Sequence, residues 1–477
     1  VLQAFLAFIL SSAALVRARL ILGKGEGYMF GFMGKLLFVN LSTGTTEIRD
    51  LKEEDARNFL GGYGLGAKIL YEEMPAKADP FGEDSMIGFV TGPTGGTGVL
   101  FGGRFAVVSK SPVTGGWNDA SCGGDFAPTL KNSGFDAVFV KGIAKNPVYI
   151  YIDEGKAEIK DASAMWGKTT IETEAVIEEL HGKRAKSALI GPAGENLSLF
   201  AAVMNDSHRA AARGGCGAVM GSKKLKAIVA HGHMPIPVFD KEAVKANNQN
   251  VMETMKASGR YDPNGTLGTG GGYAMSTQGG AAGVKNWGGS GVGDYSEEVS
   301  LPISSHGLEP YKTKKYACHS CPRACGAFHD YPSERWDLKH APRPEYETMA
   351  AFGSMLLNTD VEAVMQSNNL CNEYGMDTIS AGGVVAWAME CFENGLLSLE
   401  ELDGIQLNWG NGDAIVALTE KIGKGEGVGK ILMLGSQAAA DHFGRGHEYL
   451  VVASGIEEGH HDSRLNYGMA PVLQYDT

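Results

Sequence analysis

Three cysteines fall within eight residues in the stretch Tyr316-Ala-Cys318-His-Ser-Cys321-Pro-Arg-Ala-Cys325-Gly326. The spacing is C-x2-C-x3-C, with proline after the second cysteine and glycine after the third. Packing gives no reason to place three thiols on one tight loop. Metal ligation does, because such a loop can aim three thiolates at one point. Zinc sites usually pair two C-x2-C units, or one unit with two close histidines. The chain has no second C-x2-C, and His319 and His329 lack that histidine spacing. Iron–sulfur clusters use close cysteines plus a remote one, often with proline beside a ligand. The loop therefore suits an iron–sulfur cluster best, then zinc, then a role without metal. Cys122, Cys216, Cys371 and Cys391 are the candidates for a fourth ligand, and spacing selects none of them.

Two further stretches set arginines among small residues. One is Gly102-Gly-Arg104 through Gly115-Gly116 to Ser121-Cys-Gly123-Gly124, and the other is Asn205-Asp-Ser-His208-Arg209-Ala-Ala-Ala-Arg213-Gly-Gly-Cys-Gly217. Successive backbone N–H groups in such turns bind anions, and arginine adds a bidentate fork for phosphate. Either stretch alone reads equally well as a solvated surface loop; the two together favour a phosphorylated cofactor. There is no G-x4-G-K-[ST], which argues against a P-loop. Pro344-Glu-Tyr-Glu347 places two acids before an apolar run, by default a solvated loop end. Asp377 stands at a helix–helix junction, where the ordinary role is an N-cap.

These stretches must be held by a scaffold whose elements are legible in outline. Lys35–Leu41, Met86–Thr91, Arg104–Lys110 and Phe135–Lys141 read as strands, and Val148–Asp153 with Ala157–Lys160 as a hairpin. Ser187–Ile190, Leu197–Met204 and Ala227–Val229 are further strands, and helices are expected at 53–60, 65–74 and 169–181. After Pro235-Ile-Pro237 the pattern turns helical, at 239–257, then a capping box Thr359-Asp-Val-Glu362 opening a helix to Tyr374, then 378–394, 412–422 and 430–442, with a glycine-rich loop at 262–294. The expected class is α+β: a β-rich N-terminal domain at 29–237, a mainly helical domain with the cysteine loop at 238–445, and the start of a truncated helical domain at 446–477.

Glycine supplies 67 of 477 residues, about twice the usual share of ~7%. Clustered glycines suit tight turns, or backbone drawn close to a large ligand. The formal net charge of -13 with scattered basic residues excludes nucleic acid as the main partner. Seven cysteines, an odd number, argue against a secreted disulfide framework and for a reducing, cytoplasmic setting. Residues 1–28 form an apolar extension with Arg17 and Arg19 after the apolar run, too short for a span of ~20 residues and reversed for a secretory signal. They read as upstream read-through or a fragment end, and no other segment is suited to a membrane.

From about Tyr28 onward the chain resembles the tungsten-containing aldehyde:ferredoxin oxidoreductase family. The resemblance is carried by Gly191-Pro-Ala-Gly-Glu-Asn196, by Met204 through Lys223, and by the cysteine loop. It implies a tungsten atom held by two molybdopterins, a nearby [4Fe-4S] cluster, and a magnesium ion bridging the pterin phosphates. Cys318, Cys321 and Cys325 fall on three cluster ligands. Arg104 falls on the arginine between pterin and cluster, and Gly123 on a backbone contact. Arg209, Ala210, Ala212 and Arg213 fall on the second anion-binding turn, and Asp377 on the second acid of a D-x-x-G-L-D pterin motif. Glu347 falls on a carboxylate beside the metal, a candidate general base.

The departures are specific. The motif's first acid is Asn372 and its leucine Met376; a pterin-contacting asparagine is Ser121; Gln366 replaces the acid of a subunit-interface metal site; and Met469 falls on the active-site histidine, with His460 and His461 a little earlier. Family members continue past the position of Thr477 to a D-x-x-G-L-C motif supplying the fourth cluster cysteine, so the resemblance implies a fragment or interrupted reading frame. The activity implied is oxidation of an aldehyde with water to a carboxylate, with electrons passing to ferredoxin or a partner subunit; a homodimer is compatible with it. Reduction of an aromatic thioester within a complex, and a non-catalytic remnant, are the competing readings.

Overall fold

The computed structural model describes residues 29–259, 267–465 and 467–469. The extension 1–28, part of the glycine-rich segment and residues 470–477 lie outside the described residues. Two six-stranded mixed sheets make up the first half. The first contains β1 (Lys35–Asn40), β2 (Thr45–Asp50), β3 (Met86–Thr91), β4 (Phe105–Lys110), β5 (Trp117–Cys122) and β6 (Ala137–Lys141), in the order β2-β1-β6-β3-β4-β5. The second contains β7 (Val148–Asp153), β8 (Lys156–Asp161), β9 (Lys186–Leu189), β10 (Val203–Asn205), β11 (Arg209–Ala211) and β12 (Leu225–His231), in the order β11-β10-β9-β12-β7-β8. Each sheet has one parallel pair, β1 with β6 and β7 with β12.

Strand alternation builds the layers. Leu37 and Val39 of β1 face the second sheet and meet Ile150, Ile152 and Ile228 in one buried core. Leu36 and Phe38 point the other way, onto Leu65, Ile69 and Leu70 of the helix Gly62–Glu73. The second sheet is covered likewise: Tyr149, Leu189 and Val229 pack on Ile177 of the helix Thr170–His181. That helix is opened by a complete capping box between Thr169 and Glu172.

The second half is a helical bundle around Met349, Phe352, Met365, Val384, Trp387, Ile415 and Leu418. Its main members are Tyr346–Phe352, Val361–Tyr374, Thr378–Glu393 and Gly412–Lys424. A small sheet, β13 (Lys312–Tyr316), β14 (Gly326–His329) and β15 (Ala341–Pro342), carries the cysteine loop between its first two strands. The α+β class, β-rich first and helical after, is the one expected.

Several local expectations are corrected. The run Leu197–Met204 is a strand only from Val203, because the one-turn helix Pro192–Glu195 and Leu197 at φ +62° turn the chain first. Gly435, at φ +90°, splits 430–442 into Gly429–Leu432 and Ser436–Phe443. The helix after Thr359 is capped by Asp360, whose side chain accepts from the Glu362 and Ala363 amides at 3.0 and 3.3 Å. The glycine-rich segment contains the helix Tyr273–Gln278, anchored by fully buried Tyr273. β2 and β5 are strands whose polar composition hid them.

One glycine shows how tightly the first half is packed. Gly221, in the helix Cys216–Ser222, lies against the Gly194 carbonyl, which a Cβ would strike. Both partners are backbone, so neither can step aside. Gly221→Ala is expected to cost ~1–3 kcal/mol in urea unfolding, whereas Gly272→Ala, facing open space, should stay within ~0.5 kcal/mol.

Candidate active site

The cysteine loop docks on the ends of β4 and β5. The Phe101 amide donates to the Ser320 carbonyl at 2.9 Å, and the His319 amide to Gly124 at 3.2 Å. His319 Nδ1 lies 3.4 Å from Asp125 Oδ1. Gly123 stands directly behind Cys318: a Cβ there would come within 2.5 Å of the thiol sulfur. Gly123 also accepts from Asn205 Nδ2 at 2.6 Å, tying the first stretch to the second. Arg104 is exposed beside this junction, donating to Ser121 Oγ at 2.8 Å and to the Ser121 carbonyl at 3.0 Å. The 102–124 stretch is thus a strand pair with a loop at its end rather than a chain of turns.

The second stretch is also more ordered than expected. β10 and β11 form a short hairpin that pairs Met204 with Ala210, and a 3-10 turn, Arg213–Gly215, leads into the helix Cys216–Ser222. Arg209 leaves the hairpin toward the cysteine loop. Its guanidinium lies 4.7 Å from the Tyr316 ring centre. Burial opposes its charge, but the thiols of Cys318 and Cys325, Tyr316 and Glu345 outweigh that and raise its pKa. Arg209 Nη2, Asn205 Oδ1 and His208 Nδ1 are buried without a partner. A buried donor left unpaired costs free energy, so a bound anionic group would satisfy Arg209 Nη2, whereas Asn205 Oδ1 is an acceptor and needs a donor. The thiols of Cys318, Cys321 and Cys325 are only half-buried, and all seven cysteines are free.

The remaining cysteines do not join the loop. Cys122 and Cys216 belong to the inter-sheet core, Cys371 and Cys391 to the helical core. Burial pushes the Cys216 and Cys391 thiols up to about 12. Among the described residues, no three of His, Cys, Asp or Glu converge as they would around a single ion.

Gly123 offers a direct check on the loop's role. Gly123→Ala is expected to displace Cys318, lowering iron per chain and visible cluster absorbance by at least half, while the far-ultraviolet circular dichroism stays unchanged. Full iron content in that variant would remove Gly123 from the cradle.

A second cluster of charges lies on the other side of Glu345. Glu345 precedes the helix Tyr346–Phe352 and faces Arg209 and Cys325. Glu347, two residues on, faces away from them. The His460 amide donates to Glu347 Oε2 at 2.8 Å, and His461 Nε2 lies 3.5 Å from Oε1. The His461 ring stacks on Tyr346, whose hydroxyl donates to the His460 carbonyl at 2.7 Å. Burial pushes the Glu347 carboxyl above the usual range, against the pull of the His460 amide, His461 and Arg213; Asp377 adds to the rise. Burial drives the His460 imidazole down to about 3, so it is neutral; it stacks on Trp287 with neither ring nitrogen paired. Pro344–Glu347 is therefore no solvated loop end. His460 and His461 are what sequence reasoning left without a role; their signal was an adjacent histidine pair within a glycine-containing stretch.

Asp377 is the N-cap it was expected to be, accepting from the Ile379 amide at 3.1 Å and the Ser380 amide at 3.3 Å. It also pairs with Arg213, Nη1 to Oδ2 at 2.9 Å. The segment Gly375–Asp377 is laced to the sandwich: Ala202 donates to Gly375, Met376 bridges Ala201, and Asp377 donates to Phe200. Met376 is buried. Asn372 is half-buried, with its carbonyl taken by Thr170 Oγ1 at 2.7 Å. Ala212 is half-buried just before Arg213.

Family comparisons match both halves of the chain. The aldehyde ferredoxin oxidoreductase N-terminal domain matches residues 36–232, and domains 2 and 3 of the same family match residues 242–477. A tungsten-containing aldehyde ferredoxin oxidoreductase of Pyrococcus horikoshii is 41% identical over 431 residues, covering 89% of this chain and 69% of that protein. The aliphatic sulfonate oxidoreductase, WOR-like subunit, of Pyrococcus furiosus is 33% identical, covering 86% of this chain and 67% of that protein. Among solved structures, the active-site complex of a benzoyl coenzyme A reductase with a dienoyl-CoA superposes with a TM-score of 0.80 at 29% identity, over 90% of this chain and 66% of that one. The chain thus spans about two thirds of the length of these relatives. With both family domains matched in order and with curated relatives at this level of identity, the chain belongs to the aldehyde ferredoxin oxidoreductase family.

Proposed function

We propose that this chain oxidises aldehydes to carboxylates with water, and delivers the two electrons to a ferredoxin. The observation that carries this reading is the pairing of two sites across Glu345: a thiol–arginine face on one side and a carboxylate of raised pKa on the other. Cys318, Cys321 and Cys325 would hold a [4Fe-4S] cluster. Arg104, Ser121, Gly123, Arg209, Ala210, Ala212, Arg213, Asn372, Met376 and Asp377 would hold the pterins of a tungsten cofactor and an accompanying magnesium ion. When bound, that group supplies the oxygen-transfer and redox chemistry, and the protein supplies position and charge.

The chain's own contribution is proton handling at Glu347. The His460 amide occupies Oε2, which leaves Oε1 as the atom that accepts a proton from water or the aldehyde hydrate. His461, 3.5 Å away and exposed, is placed to pass that proton to solvent. Arg213 and Asp377 hold the floor of the site rigid. Free thiols throughout the chain favour a reducing cytoplasm.

The test is aldehyde-dependent reduction of benzyl viologen by the metal-loaded protein, with tungsten and iron measured in the same preparation. Turnover with bound tungsten and about four irons per chain is expected. A tungsten-loaded protein that ignores aldehydes but reduces an aromatic coenzyme A thioester would replace this reading with the one favoured by the solved neighbour. A chain that takes up no tungsten would be a non-catalytic remnant.

A further inference from the structure

Lys285, Asn286 and Trp287 have φ angles of +47°, +45° and +67°. This is the longest run of left-handed residues without glycine among the described residues. Each such residue costs free energy, and it persists only where the surroundings over-determine it. Here they do. The Lys285 and Asn286 amides donate to the Ser354 and Met355 carbonyls, each at 3.0 Å. Asn286 is buried, and its Nδ2 donates to Glu390 Oε2 at 2.6 Å and to the Tyr449 carbonyl at 2.9 Å. The Gly288 amide closes the turn on the Lys285 carbonyl at 2.9 Å. Gly283 lies against the indole: a Cβ there would come within 3.2 Å of the Trp287 ring.

The ring that this turn presents meets the segment that serves Glu347. The Trp287 and His460 rings lie 5.8 Å apart and nearly parallel, at 13°. The Asp462 amide donates to the Ala281 carbonyl at 2.8 Å, and Arg464 Nη2 donates to the Trp287 carbonyl at 3.2 Å. Asp462 and Arg464 pair with each other at 2.6 Å. Residues 460–464 are thus tied to residues 281–287 at three points. The His460 imidazole adds no hydrogen bond of its own, since both ring nitrogens are buried without a partner. Stacking holds its ring, while its amide is engaged by Glu347 Oε2 at 2.8 Å.

We propose that Trp287 is a positioning residue for the reaction: its left-handed turn clamps residues 460–464, so that the His460 amide holds Glu347 Oε2 and leaves Oε1 free to accept the proton. The proposal rests on Glu347 being the base. A left-handed turn that carries an indole rather than glycines is costly, and the cost is met because the ring must stand where the turn puts it. The clamp acts on the carboxylate through one intermediate residue, His460. Small displacements matter at that distance, because a group misplaced by about 1 Å can lose ~100-fold in rate.

The experiment compares Trp287→Leu and Trp287→Phe with the wild type, each alone and combined with Glu347→Gln, in the full, metal-loaded chain. The first readout needs no turnover: amide hydrogen exchange of the peptide spanning residues 457–464, followed by mass spectrometry. Trp287→Leu is expected to speed exchange there at least ~10-fold while β3 and β6 stay unchanged. Trp287→Phe, which keeps a ring to stack, should stay within ~3-fold of the wild type. The second readout is aldehyde oxidation with benzyl viologen. Trp287→Leu should lower kcat ~10- to 100-fold with KM within ~2-fold, and Trp287→Phe should restore most of it. Once Glu347→Gln is present, Trp287→Leu should cost nothing more, because both changes disable the same group. Arg464→Met removes one tie at a side chain that is 68% exposed, so it answers the exchange question even if Trp287→Leu fails to fold. Unchanged exchange at 457–464 in Arg464→Met and in any folded Trp287→Leu overturns the proposal. So does a raised KM with intact kcat, which would make Trp287 a wall of the substrate pocket, or a loss that persists in full beside Glu347→Gln. If the wild type oxidises no aldehyde, the Glu347 reading fails, while the exchange measurement still decides the clamp.

Discussion

Glu347→Gln is expected to retain tungsten and iron and to lose turnover by at least ~100-fold, the lower end of what a positioned base contributes. Glutamine keeps the shape and an acceptor for the His460 amide, but it cannot take a proton. Stability should move the opposite way. Burial raises the Glu347 pKa in the folded chain, so ionising it costs stability. That cost begins as pH rises past the ordinary carboxylate value and is complete above the raised folded value. The neutral variant escapes it. Its Tm should therefore exceed the wild type's at pH 7, with the advantage gone below about pH 4, where the carboxyl is protonated folded or unfolded. Catalysis by the wild type should rise with pH through that same raised value, because the base works ionised. Normal turnover in Glu347→Gln would remove this carboxylate from the mechanism. Lost turnover with lost tungsten would make it a support of the cofactor instead.

The parts of this site that could be read from sequence are those whose physics is local. Three thiols on one loop point to metal ligation, and that signal lies within eight residues. The apolar strands β3, β4 and β6 and the hairpin of β7 and β8 announce themselves by composition and turn. Asp377 reads as an N-cap because the helix it starts follows it directly. What could not be read is set by distance along the chain. Arg213 meets Asp377 across 164 positions, and His460 meets Glu347 across 113. Neither partner carries a mark of the other. β5 escaped notice for a different reason: its glycine-bounded, polar residues look like a loop, and only pairing with β4 makes them a strand. The default of exposure also failed at Glu347, whose half-buried carboxylate is met by the His460 amide and by His461.

The Arg213–Asp377 pair yields the largest expected effect on stability. The Asp377 side chain is only 4% exposed, while Arg213 keeps 34%. Removing the arginine leaves a buried carboxylate with two cap amides as its remaining donors, a loss of ~3–5 kcal/mol by the usual cost of breaking a buried pair. Arg213 also donates to the Glu457 carbonyl, so the same change loosens the short antiparallel pair of Val452–Ala453 with Ile456–Glu457, which leads to His460. Removing the acid is milder. Asp377→Asn keeps a side-chain oxygen for the cap, where Asn and Asp are equivalent, and the arginine left behind can turn to water. The expected order in urea unfolding is wild type, then Asp377→Asn, with Arg213→Met lowest, and the double variant more stable than Arg213→Met alone. That inversion is the signature of an unpaired buried charge, since a lost packing contact would not be repaired by a second substitution. If Arg213→Met costs less than ~1 kcal/mol, the pair is not what locks the helical half to the sandwich. The ladder from Phe200 to Asp377 would then have to hold the site alone.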